Sequence, residues 1–181
     1  MQSMESNETY DLWHRRQYPS QYIWESYLFP AYGITDSSCQ CGVNLKIFGC
    51  NKCHFQAQGT TLNQEQIKTV TTLVEKQQSF VDDIRKSIFE YYQFIWNDYG
   101  HYMDDTTKYP LIQLNEVYKI DDLIKLKSLH CPEKMKEGTF GLCFSCTFDE
   151  EHGLGIRFKE YKIAEIGGED VGFGQFHWNP I

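Results

Sequence analysis

A chain of 181 residues and 21.3 kDa is long enough to bury one core without help from metals or disulfides, and 41% hydrophobic against 23% charged residues is a globular balance. The 25 acidic and 17 basic residues give a net charge of -8, and no Lys/Arg stripe follows a line that could track phosphates, which excludes direct nucleic-acid binding. The opening Met1 to Glu8 has neither a basic nor an apolar region and no later run is long enough to cross a bilayer, so the expectation is a soluble, cytoplasmic protein with no membrane partner.

In chain order, residues 1–21 lack a stable period and read as an N-terminal arm, with a single domain expected over 22–181. The run Tyr22 to Phe29, stopped by Pro30, and the alternating Val43-Asn44-Leu45-Lys46-Ile47 read as two strands of one antiparallel sheet. Asn63 as N-cap, Gln66 at the capping-box position, and Leu62 with Ile67 as a hydrophobic staple predict a helix start. From Ile67 through Val70, Val74, Val81, Ile84 and Ile88 to Ile95 the apolar residues recur at steps of three and four, with Gln77 interrupting the stripe.

Beyond a polar, aromatic loop at 99–110, Ile120 to Ile124 reads as a short helix and Leu126 to His130 as a strand stopped by Pro132. Strands at about 139–148, 154–159 and 161–166 then form a meander with turns at 133–138, at 149–153 and near Gly167-Gly168. The fold class is therefore α+β, an antiparallel sheet with a long helical segment packed on one face.

Three groups of residues have the types that chemistry uses. Cys39 and Cys41 with Cys50 and Cys53 form two close pairs, the arrangement from which two knuckles present four soft ligands to a structural zinc; four reduced thiols are the alternative. Seven cysteines and no export signal favour reduced thiols over a disulfide framework. Cys143 and Cys146 have the Cys-x-x-Cys redox spacing but fall in a predicted strand, where residues three apart face opposite ways, so they read as buried thiols.

The third group is the turn Asp149-Glu150-Glu151-His152-Gly153. Glu150 and Glu151 with His152 could serve a hydrolase, but neighbours on a tight turn diverge, and Asp149 bonding to backbone with Gly153 at positive φ is an ordinary way to reverse a chain. No residue is assigned a catalytic role. The five are candidates for a binding motif.

The segment from Phe148 through Gly153-Leu154-Gly155 to Phe158, followed by Ile163 to Gly167 and Asp170-Val171, resembles the C-terminal motif of an uncharacterised bacterial domain family, Trp-Asp-Glu-Glu-His-Gly-Leu-Gly. The helix start at Leu62 to Gln66, Tyr91-Tyr92 and the 123–126 segment resemble it too, so the likeness covers about residues 22–173. Phe148 stands where the family has Trp, and the Cys39 to Cys53 cluster lies outside the pattern. Domains of this kind resemble small acidic proteins encoded beside toxins. That resemblance implies a non-enzymatic immunity protein of the bacterial cytosol, which binds and neutralises a basic toxin without a cofactor.

Overall fold

The structure, a computed structural model, describes residues 28–35, 38–50, 53–59, 62–100 and 109–173. The N-terminal arm and residues 22–27 of the first predicted strand lie outside them. Seven strands form one sheet in sequence order: β1 (Leu28–Thr35), β2 (Ser38–Val43), β3 (Cys53–Gln58), β4 (Ile124–Cys131), β5 (Phe140–Cys146), β6 (Leu154–Lys159) and β7 (Lys162–Gly167). Every pairing is antiparallel except β3 with β4, which is parallel. A parallel neighbour needs a long crossover, and the chain supplies one between Gln58 and Ile124 that holds both long helices. The fold is thus α+β with a mostly antiparallel sheet.

Helix α1 (Gln64–Glu75) begins as the capping box dictates: Asn63 Oδ1 accepts from Gln66 N at 2.9 Å and Gln66 Oε1 accepts from Asn63 N at 3.0 Å. The Gln66 amide then donates to the carbonyls of Gln58, Cys131 and Pro132. One buried side chain thereby ties the helix to the ends of both strands of the parallel pair, and satisfies carbonyls that burial would otherwise leave unpaired.

The apolar stripe continues into α2 (Gln77–Tyr99), but as a second helix, because the chain breaks at Lys76. Gln77, the one residue that interrupts the stripe, sits at that break; its side chain accepts from Lys46 N at 2.6 Å and donates to Val74 O at 2.9 Å. Val70, Leu73, Ile84, Ile88, Phe89 and Tyr92 lie on the sheet, against Phe55, Leu126, Leu129, Phe140, Leu142, Phe144, Ile156 and Phe158. Each such side chain contributes roughly 1.5–3 kcal/mol by leaving water. Phe140 and Phe158 stack across β5 and β6 with centroids 4.3 Å apart.

Three local expectations change. Strand β1 is not stopped at Pro30 but runs through it to Thr35, the register with β2 shifting between Phe29 and Gly33 so that the proline falls at the irregularity. Residues 44–50 are irregular rather than a strand: Cys50 N donates to Ile47 O, and Phe48 and Gly49 have φ of 47° and 69°. Leu45, Ile47 and Phe48 are nonetheless buried, so the alternation reported burial correctly without a ladder. The short helix near Ile120 is a 3-10 segment, Leu114–Asp122, linked to α2 by Arg85, whose guanidinium bonds both Asp121 oxygens at 2.8 Å.

The other face of the sheet is covered in part by a five-residue helix, α3 (Glu169–Phe173), that the periodicity does not announce. Its presence explains why β5 is buried on both faces: Phe140, Leu142 and Phe144 meet α1 and α2, while Gly141 and Cys143 lie under α3. Among the described residues no helix is long and apolar enough to cross a membrane.

Candidate functional site

The acidic turn joins β5 to β6, and its backbone explains its sequence. Gly153 has φ of 64° and its N–H donates to Asp149 O at 2.9 Å, closing the reversal. Asp149 Oδ1 accepts from His152 N at 3.0 Å, and the same oxygen lies 3.0 Å from His152 Nδ1. The imidazole is therefore engaged by the turn's own carboxylate. Cys146 Sγ bonds Asp149 O, and His152 O accepts from Glu169 N at 2.9 Å, which fixes the turn to the start of α3.

Glu150 and Glu151 point into solvent, and Glu150 borders an open groove of about 310 Å³ with Asp122, Lys125, Ser145 and Thr147. Asp149, His152 and Gly153 are brought together as a closed turn. His152 is oriented by Asp149, while Glu150 and Glu151 are exposed beside it, and a general base needs an orienting partner converging on the same point.

A second polar group, of which the sequence singles out Cys143 alone, lies beside α3. The register aligns Gly42, His54, Ser128, Cys143, Gly155 and Gly167 in one row across six strands, on the face away from α1 and α2. Ser128 Oγ is 2.8 Å from His130 Nε2, and the His130 ring meets Phe173 of α3 at 6.1 Å. Burial, helped by the nearby His54, pushes the His130 imidazole down to about 4, so it is neutral near neutrality. Burial lowers His54 as well.

Cys143 donates to Glu169 O and is pushed up to about 12, chiefly by burial. A nucleophilic thiol needs the opposite shift. The signal that marks this group in the sequence is Ser-x-His, two residues that a strand places on one face.

The cysteine pairs are divided by the same geometry. Cys143 faces α3 and Cys146 the helical core, so the two thiols of the Cys-x-x-Cys sequence stand on opposite faces, as strand alternation requires. Burial pushes Cys146 up to about 12. Cys50 and Cys53 meet in the core, where the hydrogen bond between them, with burial, raises the Cys53 thiol.

The side chains of Cys39 and Cys41 lie outside the described residues, but the β2 backbone is registered: Cys39 stands opposite Ala57, and Cys53 opposite Val43. Four residues along a strand is roughly 13 Å. That span is wider than one tetrahedral zinc with bonds of about 2.3 Å can bridge from Cys39 to Cys53. Among the described residues no three His, Cys, Asp or Glu side chains gather as metal ligands.

The chain belongs to the family described as Domain of unknown function (DUF6985), whose model matches residues 36–173. The match ends with α3, so it takes in β2 to β7, all the described helices and the glycine-rich closure around them. No curated protein and no solved structure matches the chain.

Proposed function

We propose that this protein is a non-enzymatic binding protein of the bacterial cytosol, an immunity protein that captures and neutralises a basic toxin. The observation that carries the reading is the exposure of large apolar side chains on an acidic chain: Phe94 is 62%, Leu111 61%, Leu114 78% and Tyr118 63% exposed, on α2 and the segment that follows it. Exposed aromatic and aliphatic anchors in a negatively charged surface are what a basic protein partner requires. The charge speeds encounter, and the anchors slow release.

The polar groups support the same reading. Asp149 and His152 are used in closing a turn, while His130, half-buried, and Cys143, buried, have pKa values moved away from general-base or nucleophilic work. Glu150 and Glu151 are exposed charges suited to steering.

Co-expression with the protein encoded beside this chain's gene tests the proposal. The expected result is relief of that protein's toxicity and a complex whose association slows as salt is raised. Failure to form a complex, or binding insensitive to salt, overturns it.

A further inference from the structure

The chain holds two Cys-x-x-Cys sequences, and the fold treats them in opposite ways. Cys143 and Cys146 lie along β5, where a spacing of three sends one thiol toward α3 and the other into the helical core. Cys50 and Cys53 straddle a strand end instead: Cys53 opens β3, opposite Val43, while Cys50 belongs to the irregular connection that precedes it. Positive φ at Phe48 and Gly49, with Cys50 N donating to Ile47 O at 3.0 Å, turns the backbone there and frees the pair from strand alternation. The two sulfurs meet in a hydrogen bond on the core side of the sheet.

The pair is unequal. Cys53 is fully buried and its Sγ lies 3.5 Å from His54 O, whereas Cys50 keeps 7% of its surface exposed. The hydrogen bond with Cys50, followed by burial, holds the Cys53 thiol above its ordinary range. Cys53 is therefore the later of the two to lose its proton, and Cys50 is the one that a reagent in solvent reaches. The connection is tied down on both sides of Lys46 and Phe48: Lys46 N donates to Gln77, Phe48 O accepts from Leu126 N at 3.2 Å, and the Phe48 ring meets Phe144 at 5.7 Å. These ties hold Cys50 against the start of β3, so the second sulfur is already in place when the first reacts.

We infer that Cys50 and Cys53 form a dithiol site for a low-molecular-weight disulfide, which converts them reversibly into an intramolecular disulfide. The Cys50 thiolate attacks one sulfur of the small disulfide, the bond between that molecule's two sulfurs breaks, and one small thiolate leaves. Cys53 then gives its proton to water and attacks the Cys50 sulfur, expelling the second small thiolate. Two protein thiols are oxidised to one disulfide, and one small disulfide is reduced to two thiols. The protein sulfurs close from hydrogen-bond contact to about 2.05 Å, and excess thiol reverses both steps. The second step is the slow one, because Cys53 must first lose its proton. A bond of this kind is transient in a reducing compartment, which agrees with seven cysteines kept mainly as thiols.

The test incubates the folded, full-length chain with oxidised glutathione, quenches in acid, alkylates the remaining thiols and digests the denatured protein with trypsin. Lys52 lies between the two cysteines, so residues 47–52 and 53–68 carry one cysteine each and stay joined only through a disulfide. The expected result is the joined pair of peptides, loss of two of the seven thiols to alkylation, and recovery of both in dithiothreitol. Peptide 137–157, with Cys143 and Cys146, is expected to keep its thiols. In Cys53→Ser the expected product is glutathione retained on Cys50, since the resolving sulfur is gone. If that variant fails to fold, the peptide map of the unaltered chain still decides. Separate, alkylated 47–52 and 53–68 peptides overturn the inference. Joining of Cys53 to residues 17–46 overturns it too, and assigns the bond to Cys39 or Cys41. Oxidation of Cys143 with Cys146 in place of this pair would show that spacing rather than geometry selects the thiols, and overturns it as well.

Discussion

The carbonyl of Gly172 in α3 lies directly on Gly141 of β5: a Cβ at Gly141 would stand 2.7 Å from the Gly172 carbonyl carbon and closer still to its oxygen. Gly155 repeats the arrangement on β6, where a Cβ would meet Gly168 O and Gly172 N, each at 2.5 Å. Helix α3 therefore brings its backbone directly onto the sheet, and Gly141 and Gly155 are what permit the approach. Gly155→Ala is expected to destabilise by about 2 kcal/mol or more through overpacking against main chain that cannot step aside. Denaturant titration checks this, and an unchanged midpoint would show that α3 is free to lift.

The turn separates its structural residue from its charged ones. Gly153→Ala forces a side chain to φ of 64° and places it 3.1 Å from Phe144 O, so it should cost more than about 1 kcal/mol. His152→Ala removes one exposed contact to Asp149 and should cost about half a kcal/mol or less. Comparing the two thermal midpoints decides which residue holds the turn. Glu150→Lys should leave the fold intact and lower the association rate of a basic partner.

At the helix start, Asn63→Ala removes an acceptor for a first-turn amide and should cost about 1 kcal/mol. Gln66→Leu should cost more, because three carbonyls lose one amide donor in a buried site, where each unsatisfied group costs about 1–3 kcal/mol. Equal stability of the two variants in urea would contradict the linking role given to Gln66.

His130 titrates at about 4 in the folded protein against an ordinary value of 6.5. The lowered value means the unfolded chain binds the proton more readily, so the contribution is fully present above 6.5 and is lost as pH falls toward about 4. Stability should decline across that window, and the decline should be shallower in His130→Gln. Parallel pH profiles for the two proteins would place the titration elsewhere.

The register predicts that the four cysteines do not share one metal ion. Purified protein should bind less than one firmly held equivalent of zinc, and chelation should leave the melting curve unchanged. A full equivalent, with loss of structure around residues 39–54 on chelation, would require β2 to pair in another register.

What the sequence disclosed follows the range of the forces involved. The Asn63–Gln66 cap, the alternation of β5 to β7 and the positive φ of Gly153 are set within a few residues, and each is legible there. The parallel pairing of β3 with β4 depends on residues some seventy apart, and no local pattern announces it. Gln77 broke the apolar period, but only its bonds to Lys46 and Val74 show the break to be a helix end. The charged turn drew attention because its residue types are those of catalysis. The spatial row that joins His54, Ser128 and Cys143 is spread over three strands and becomes visible only when they pair.

The central claim is that the protein acts by binding, and stoichiometry tests it most directly. The activity of the protein encoded beside this chain should be titrated with increasing amounts of the full-length chain at concentrations well above the dissociation constant. A binding protein gives a linear loss of activity that ends near one molecule of the chain per molecule of target. Complete loss at a small fraction of that ratio, increasing with time, would mean turnover, and would contradict the account.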